Sequence, residues 1–295
     1  MEKMSEYAFV AGFLTTGLAL LGYLAYTFSG IRAARLQAAG VPLRTARVGF
    51  VAGPRTSVIG QYASLLAILA AAFITACLVF RTIATGHGPF ANQYEFSVAF
   101  AWGVQVTFVW FERRYRQRLL GLVALPVALA LLGYALTIPR EIEPLLPALQ
   151  NNLLLTVHVA VAIVAYGSFT VAFAAALLHL VQPEGGRWGL PKPAILDEIG
   201  YRSIVVGFPF LTLTIVLGAL WAEVAWGRYW AWDPKETASL VTWLIYGAYL
   251  HARVVRGWRG RRAAILLVVG FVATLFTFFG VNLFVNSLHS YSGLG

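Results

Sequence analysis

Cysteine is nearly absent from the sequence, and this scarcity limits the chemistry that the chain can supply alone. Its 295 residues include one cysteine, Cys77. A single cysteine excludes an internal disulfide, a C-x-x-C redox pair and a C-x-x-C-H site for covalent haem attachment. A reaction that needs two thiols must therefore take them from a partner.

Charged residues are also scarce. Asp, Glu, Lys and Arg make up 12% of the chain, whereas hydrophobic residues make up 59%. This composition is typical of a protein that faces lipid over most of its surface. The expected fold class is therefore all-α, a helical bundle that crosses a membrane several times.

Eight apolar runs are long enough to cross a hydrocarbon core of about 30 Å. They occupy residues 7–28, 58–80, 96–111, 119–137, 153–181, 203–223, 237–255 and 263–288. No internal repeat and no long polar region separates them. The sequence therefore predicts one membrane domain over residues 1–295, with about eight transmembrane helices.

The basic residues predict how the bundle is oriented. Most of them lie in the loops after the odd-numbered spans, and the few on the other side are Lys3, Arg81, Arg140, Arg228 and Lys235. By the positive-inside rule, the basic loops face the cytoplasm. Both termini and the connection between spans six and seven are then expected outside. Topology and anionic lipid account for the net charge of +10, so no nucleic-acid partner is expected.

A tryptophan-rich segment, residues 224–236, lies in that outer connection. From Trp226 to Glu236 it reads W-G-R-Y-W-A-W-D-P-K-E. Asp233 suits a helix N-cap, Pro234 suits the first helical position, and Glu236 can close a capping box onto Asp233. These signals predict an ordered aromatic platform. An interfacial belt of aromatic residues is the alternative interpretation.

Two histidines are expected at the same depth as this platform. His158 lies near the outer end of span five, and His289 lies at the outer end of span eight. Two neutral imidazoles suit axial ligation of a haem iron, and indole rings can cover an apolar macrocycle. Lys235, Arg228 and the N–H groups that begin span seven can meet anionic propionates. A hydrogen-bonded packing role is the alternative for each histidine taken singly.

The remaining histidines are assigned differently. His251 is fifteen residues beyond Glu236, which places it roughly 22 Å inward along a helix. There it can serve a second site or mark the inner boundary of the membrane. His87 is in an outer loop from which it can approach the pocket, and His179 is expected to serve packing.

The segment W-G-x-x-W-x-W-D, continuing through Pro234, Lys235 and Glu236, resembles the tryptophan-rich (WWD) signature of the haem-handling proteins of cytochrome c maturation. From residue 86 onward the chain resembles the CcsA (ResC) family of cytochrome c assembly proteins. Tyr249-Leu250-His251 and Leu288-His289-Ser290-Tyr291 support the resemblance. The sequence departs from the signature at Ala238, where the family carries a tryptophan.

The resemblance implies a haem-transporting and haem-presenting subunit of a two-part cytochrome c synthase. Such a subunit moves haem b to the outer face and positions its vinyl groups for thioether attachment to the C-x-x-C-H segment of apocytochrome c. The resemblance further implies a CcsB-type membrane partner with a large outer domain, without which the chain is half of the enzyme. It places the chain in the bacterial cytoplasmic membrane, or in the thylakoid membrane of a plastid.

The resemblance also implies roles for individual residues. His158 and His289 match the axial ligands of an outer haem, and His251 matches a ligand of an inner haem site. The residues that match the haem-contacting signature are Trp226, Gly227, Trp230, Trp232 and Asp233.

Three other functions stay open on the sequence. One is a haem exporter that loads a haem chaperone, although such exporters are shorter and have fewer spans. Another is a membrane b-type cytochrome, although these usually stack histidine pairs on facing helices. The third is a solute transporter, which the lack of repeats and broken helix pairs disfavours.

Overall fold

The computed structural model describes residues 1–39, 57–142, 152–182 and 191–281, and these residues form helices without any strand. The eight α-helices of these ranges are α1 (Glu2–Ala38), α2 (Val58–Thr85), α3 (Gln93–Tyr115), α4 (Gly121–Leu136), α5 (Asn152–Val181), α6 (Pro193–Trp226), α7 (Pro234–Val254) and α8 (Arg261–Leu275). A 3₁₀ turn, Arg118–Leu120, precedes α4, and a π-helical turn, Phe276–Gly280, continues α8. The predicted all-α membrane bundle is confirmed.

The predicted spans coincide with the helices as far as the description reaches, which for the last span is residue 281. Six of the helices in the described ranges are long and apolar enough to cross a membrane, namely α1, α2, α4, α5, α6 and α8. The other two, α3 and α7, carry more polar residues. In α3 the polar Ser97, Gln105 and Glu112 are buried within the protein, so this helix directs polar groups to neighbouring helices rather than to lipid.

Two helices extend well beyond the apolar runs that predicted them. Residues 29–57 and 182–202 lie outside the predicted apolar runs, but α1 continues to Ala38 and α6 already begins at Pro193. An apolar run identifies only the segment that crosses the membrane. The helix itself can continue into polar residues until a helix-breaking residue such as Gly or Pro ends it. Pro193 occupies the first turn of α6, where its missing N–H costs nothing.

Helix α5 lies at the centre of the bundle. Its Val171 and Ala174 pack in a core shared with α1 to α4 and with part of α6, whereas its Phe169 and Ala172 pack in a second core shared with α6, α7 and α8. Small residues let the neighbouring helices approach: a Cβ added to Gly167 would lie 2.7 Å from the carbonyl oxygen of Gly103 in α3. The position of α5 therefore fixes both halves of the bundle relative to each other.

Alternating helix direction brings several helix ends together at one end of the bundle, which we call the tryptophan end. It contains the starts of α3, α5 and α7 and the ends of α2, α4 and α6. A buried ion pair helps to hold it together, because Arg81 Nε of α2 lies 2.8 Å from Glu95 Oε1 of α3. Arg81 also donates to the carbonyl oxygens of Arg140 and Glu141, which follow α4.

Candidate functional site

A cavity opens at the tryptophan end, between α3, α5, α6, α7 and the π-helical turn. It encloses about 1040 Å³ of space without protein atoms, part of which is open to the outside. Aromatic and aliphatic side chains form most of its wall, and the residues that carry the following argument are His158, Trp221, Tyr229, Trp230, Lys235 and Glu236.

His158 presents its imidazole to the cavity from α5. Its Nδ1 lies 3.0 Å from the carbonyl oxygen of Thr214 in α6. A carbonyl oxygen can only accept, so Nδ1–H is the donor, and in the neutral form of the ring the lone pair is then on Nε2. Ligating histidines are commonly oriented by such a bond from the nitrogen that does not bind the metal. The tautomer of His158 is therefore the one that a metal-binding Nε2 requires.

Trp221 supports this imidazole. The two rings are nearly parallel, with an interplanar angle of 13° and 6.5 Å between their centroids. Trp221 is only 2% exposed, so most of its indole contacts protein rather than the open part of the cavity. Trp226 also meets Trp221 edge-on, with centroids 4.8 Å apart. Trp226 thus packs against Trp221, which in turn packs against His158.

The tryptophan-rich segment is a short and well-determined connection. Helix α6 ends at Gly227, whose φ of +71° is left-handed and whose N–H donates to the Glu223 carbonyl at 2.8 Å. Helix α7 begins behind Asp233, which accepts from the N–H of Lys235 at 2.9 Å. The predicted capping box is confirmed, because Glu236 accepts from the N–H of Asp233 at 3.1 Å. Glu236 also accepts from the N–H of Ala231 at 2.8 Å.

The two later tryptophans of the segment lie in different places. Trp230 lines the cavity, whereas Trp232 is 68% exposed. Their rings meet at right angles, with 5.7 Å between the centroids. Trp232 also has a φ of +56°, a left-handed conformation that costs a non-glycine residue about 1–2 kcal/mol.

Lys235 is a cation in the cavity wall. It is in the first turn of α7 and is partly buried. Burial lowers the pKa of its ammonium group to about 8, and the nearby Asp233 carboxylate opposes this shift. At neutral pH the side chain is still mostly charged, and it stands at a helix N-terminus, which also favours anions.

The structure brings some of the predicted site residues together and leaves others apart. His158 and Trp230 line the cavity. Trp226 and Gly227 lie at the end of α6, and Asp233 is the N-cap of α7. Trp232 is exposed. His251 is exposed near the far end of α7. His289 lies outside the described residues.

The two remaining histidines, His87 and His179, donate to nearby backbone carbonyls. His87 Nδ1 lies 2.8 Å from the Gly88 carbonyl in the loop between α2 and α3, and His87 is not part of the cavity wall. His179 Nδ1 lies 3.1 Å from the Pro193 carbonyl at the end of the bundle opposite to the cavity. In the described ranges, no three His, Cys, Asp or Glu side chains converge as a metal-binding group.

Several cavity residues were missed by the sequence reasoning. Gln93, Phe100, Tyr166 and Trp221 line the cavity from three different helices. Phe100, Tyr166 and Trp221 lie within apolar runs, where an aromatic residue is expected for packing alone. Only the relative placement of the helices shows that they share one wall.

The family described as "Cytochrome C assembly protein" matches residues 90–289. The chain therefore belongs to this family of membrane proteins of cytochrome c biogenesis. Among curated proteins, it is similar to the cytochrome c biogenesis protein CcsA of Porphyra purpurea, with 33% identity over 291 residues that cover 83% of this chain and 91% of the relative. It is likewise similar to CcsA of Gloeobacter violaceus, with 37% identity over 297 residues, 80% of this chain and 87% of the relative.

A solved structure has the same fold. Cytochrome c Heme Lyase CcmF superimposes with a TM-score of 0.57 and 21% identity, covering 94% of this chain. The chain spans about half of that structure, which is covered to 47%. At this identity the similarity shows the fold and nothing more.

Proposed function

We propose that the chain is the haem-handling subunit of a cytochrome c synthase. It holds haem b as its substrate in the cavity at the tryptophan end, with His158 as an axial ligand. It presents the vinyl groups to the two thiols of a C-x-x-C-H segment of apocytochrome c. One observation carries the proposal: the imidazole of His158, oriented by the Thr214 carbonyl, faces a cavity whose wall is formed mostly by aromatic and aliphatic side chains.

The residues of the cavity fit the chemistry of haem in three respects. The lone pair of Nε2 in His158 suits the iron. The macrocycle is flat and apolar, and the wall offers Phe96, Phe100 and Trp230 to it. The propionates are anionic, and Lys235 is a cation at the N-terminus of α7. A site for a small polar solute would not need so much aromatic surface.

The attachment reaction requires the chain mainly to bind haem and to orient its vinyl groups. In each addition an S–H group adds across a vinyl C=C bond: a C–S bond forms, the π bond breaks, and the proton ends on the neighbouring carbon. No electrons are gained or lost overall. Both thiols come from the acceptor, since Cys77 is buried in α2. Holding the haem still while the thiols approach can supply a large part of the rate enhancement.

The proposal includes a second ligand and a second chain. His289 is the proposed other axial ligand, although it lies outside the described residues. His251 is the proposed ligand of an inner haem site, and its exposure on α7 leaves the imidazole accessible to a group from another polypeptide. We assign that group to a CcsB-type partner, and we place the tryptophan end outside the bacterial cytoplasmic membrane or in the lumen of the thylakoid.

Visible spectroscopy of the purified complex tests the ligand assignment. His158→Ala is compared with His179→Ala, which removes a histidine of the same helix that also donates to a backbone carbonyl. We expect a low-spin bis-histidine spectrum in the native protein and in His179→Ala. It should be lost in His158→Ala and be restored by added imidazole. A wild-type spectrum in His158→Ala would refute the site.

Co-expression with an acceptor separates the synthase from the other haem functions. The partner chain and a C-x-x-C-H apocytochrome are produced with this protein, and covalent haem on the acceptor is measured. A synthase attaches haem to the acceptor, whereas a b-type cytochrome keeps its haem. An exporter releases haem to a chaperone without forming a thioether.

A further inference from the structure

We propose that Gly218 of α6 is a positioning residue for His158. Its missing side chain provides the space in which the imidazole lies and leaves the Thr214 carbonyl accessible to Nδ1–H. The inference rests on the proposed function, because the consequence of a displaced imidazole is measured on the haem that His158 binds.

The geometry at Gly218 leaves no room for a methyl group. A Cβ added there would lie 2.9 Å from Cε1 and 3.3 Å from Nδ1 of His158. The first distance is shorter than carbon atoms of packed side chains approach each other. Any residue larger than glycine at position 218 must therefore displace the ring.

Gly218 is also linked to the acceptor of the histidine. In an α-helix the N–H of one residue donates to the carbonyl four positions earlier, so the N–H of Gly218 points to the Thr214 carbonyl. That same oxygen accepts from His158 Nδ1 at 3.0 Å, and a carbonyl oxygen has two lone pairs for the two donors. Because Gly218 has no Cβ, the flank of this carbonyl is open to the imidazole.

Other helical glycines differ from Gly218 in what fills their space. At Gly207, on the same helix, a Cβ would lie 2.6 Å from the ring of Phe169 in the second core. At Gly133 of α4, a Cβ meets no heavy atom within 4 Å among the described residues. Gly207→Ala therefore tests the packing between α5 and α6. Gly133→Ala tests the effect of replacing a helical glycine by alanine where no clash occurs.

The displaced group is the end of a rotatable side chain rather than backbone. The fold can therefore absorb a methyl group at position 218 by turning the imidazole. The turn moves Nδ1 away from its acceptor and Nε2 away from its place in the cavity. A histidine that loses its hydrogen-bond acceptor is a weaker ligand for the metal. Such a loss typically lowers the metal affinity 10–100-fold.

The test measures haem affinity and the haem reduction potential of the full-length protein in complex with its partner chain. We expect Gly218→Ala to bind haem about 10–100-fold more weakly, with a shifted Soret band and a more positive potential. Gly133→Ala should leave the haem affinity, the spectrum and the potential as in the native protein. Gly207→Ala should lower the thermal stability but leave the spectrum and potential of the bound haem unchanged. Native affinity, spectrum and potential in Gly218→Ala would overturn the inference.

The His158→Ala variant separates the two possible failures. If it keeps the native spectrum, the proposed function fails. If it loses the spectrum while Gly218→Ala keeps the native affinity and potential, only the role of Gly218 fails.

A double variant covers the case in which Gly218→Ala alone does not fold. In His158→Ala, Gly218→Ala the clashing ring is gone, so the methyl group has space. Added imidazole should restore haem binding to His158→Ala but much less to the double variant, because the methyl group occupies part of the space. Equal rescue of both would overturn the inference.

Discussion

Glu95 and Glu236 have the same structural position in two helices that border the cavity. Each is the third residue of its helix, and each accepts a hydrogen bond from a backbone N–H of the preceding loop, that of Ala91 at 2.7 Å and that of Ala231 at 2.8 Å. Cavity residues stand beside both of them, Gln93 in α3 and Lys235 in α7. Carboxylates in the first turns of α3 and α7 therefore hold the backbone of the preceding loops on two sides of the cavity.

Glu236→Ala should loosen the tryptophan-rich segment without unfolding the bundle. The change removes the acceptor of the Ala231 and Asp233 N–H groups, and losing such caps costs about 0.5–2 kcal/mol. We expect faster amide hydrogen exchange from residue 228 to 233 and weaker haem binding. Glu236→Gln keeps one acceptor oxygen, so its hydrogen exchange and haem binding should lie between those of the native protein and those of Glu236→Ala. Unchanged exchange in Glu236→Ala would contradict the role assigned to this carboxylate.

Arg81→Met and Glu95→Leu should each destabilise the protein strongly, and less so in combination. The two side chains are 5% and 1% exposed, and removing one partner of a buried pair leaves an uncompensated charge that costs about 3–5 kcal/mol. Denaturation in detergent gives the coupling energy through a double-mutant cycle. Additive effects of the two substitutions would show that the pair is not coupled. Arg202→Met, which breaks the exposed pair with Glu198, is the matched control and should have little effect.

Haem affinity should fall as the pH rises through about 8. Burial lowers the pKa of Lys235 to about 8, so its charge is lost above that pH, and an ion pair with a propionate is lost with it. The limiting slope is about tenfold per pH unit for one proton. Lys235→Met should bind more weakly without this slope, and Lys235→Arg should stay charged and show none between pH 7 and about 9. A slope that persists in Lys235→Met would assign the titration to another group.

The stability of the haem-free protein should have the opposite pH dependence. A lysine pKa lowered by folding, from 10.5 to about 8, means that the unfolded chain binds more protons between these values. Stability should therefore increase as the pH rises from about 8 to 10.5. Lys235→Met should lack this component, and thermal denaturation at several pH values measures it. An equal increase in both proteins would contradict the assignment.

Trp232→Gly should separate backbone strain from function. Trp232 and Arg116 are the two non-glycine residues with positive φ in the described ranges. Glycine at either position relieves about 1–2 kcal/mol of strain, so both variants should keep or raise the thermal stability. Only Trp232→Gly should weaken haem binding and thioether formation. If both variants behave alike in haem binding, the exposed indole has no part in the reaction.

The sequence predicted the helices well and the site only in part, for physical reasons. Apolar runs and cap residues are local signals, and they located the spans and the start of α7 at Asp233. The hydrogen bond from His158 to Thr214 joins residues 56 positions apart, and no local pattern contains it. Gly218 reads as an ordinary helical glycine until α5 is placed against α6. The π-helical turn likewise interrupts a run that looks like uniform helix.

The buried carboxylates also show where the folding unit begins. The family match starts at residue 90, but Glu95 depends on Arg81 of α2, and Glu112 accepts from Tyr23 of α1 and Ser64 of α2. A fragment cut at the start of the match would leave both buried acids without these donors. The region that matches the family is therefore shorter than the region that folds as a unit. A fragment that folds by itself must include α1 and α2.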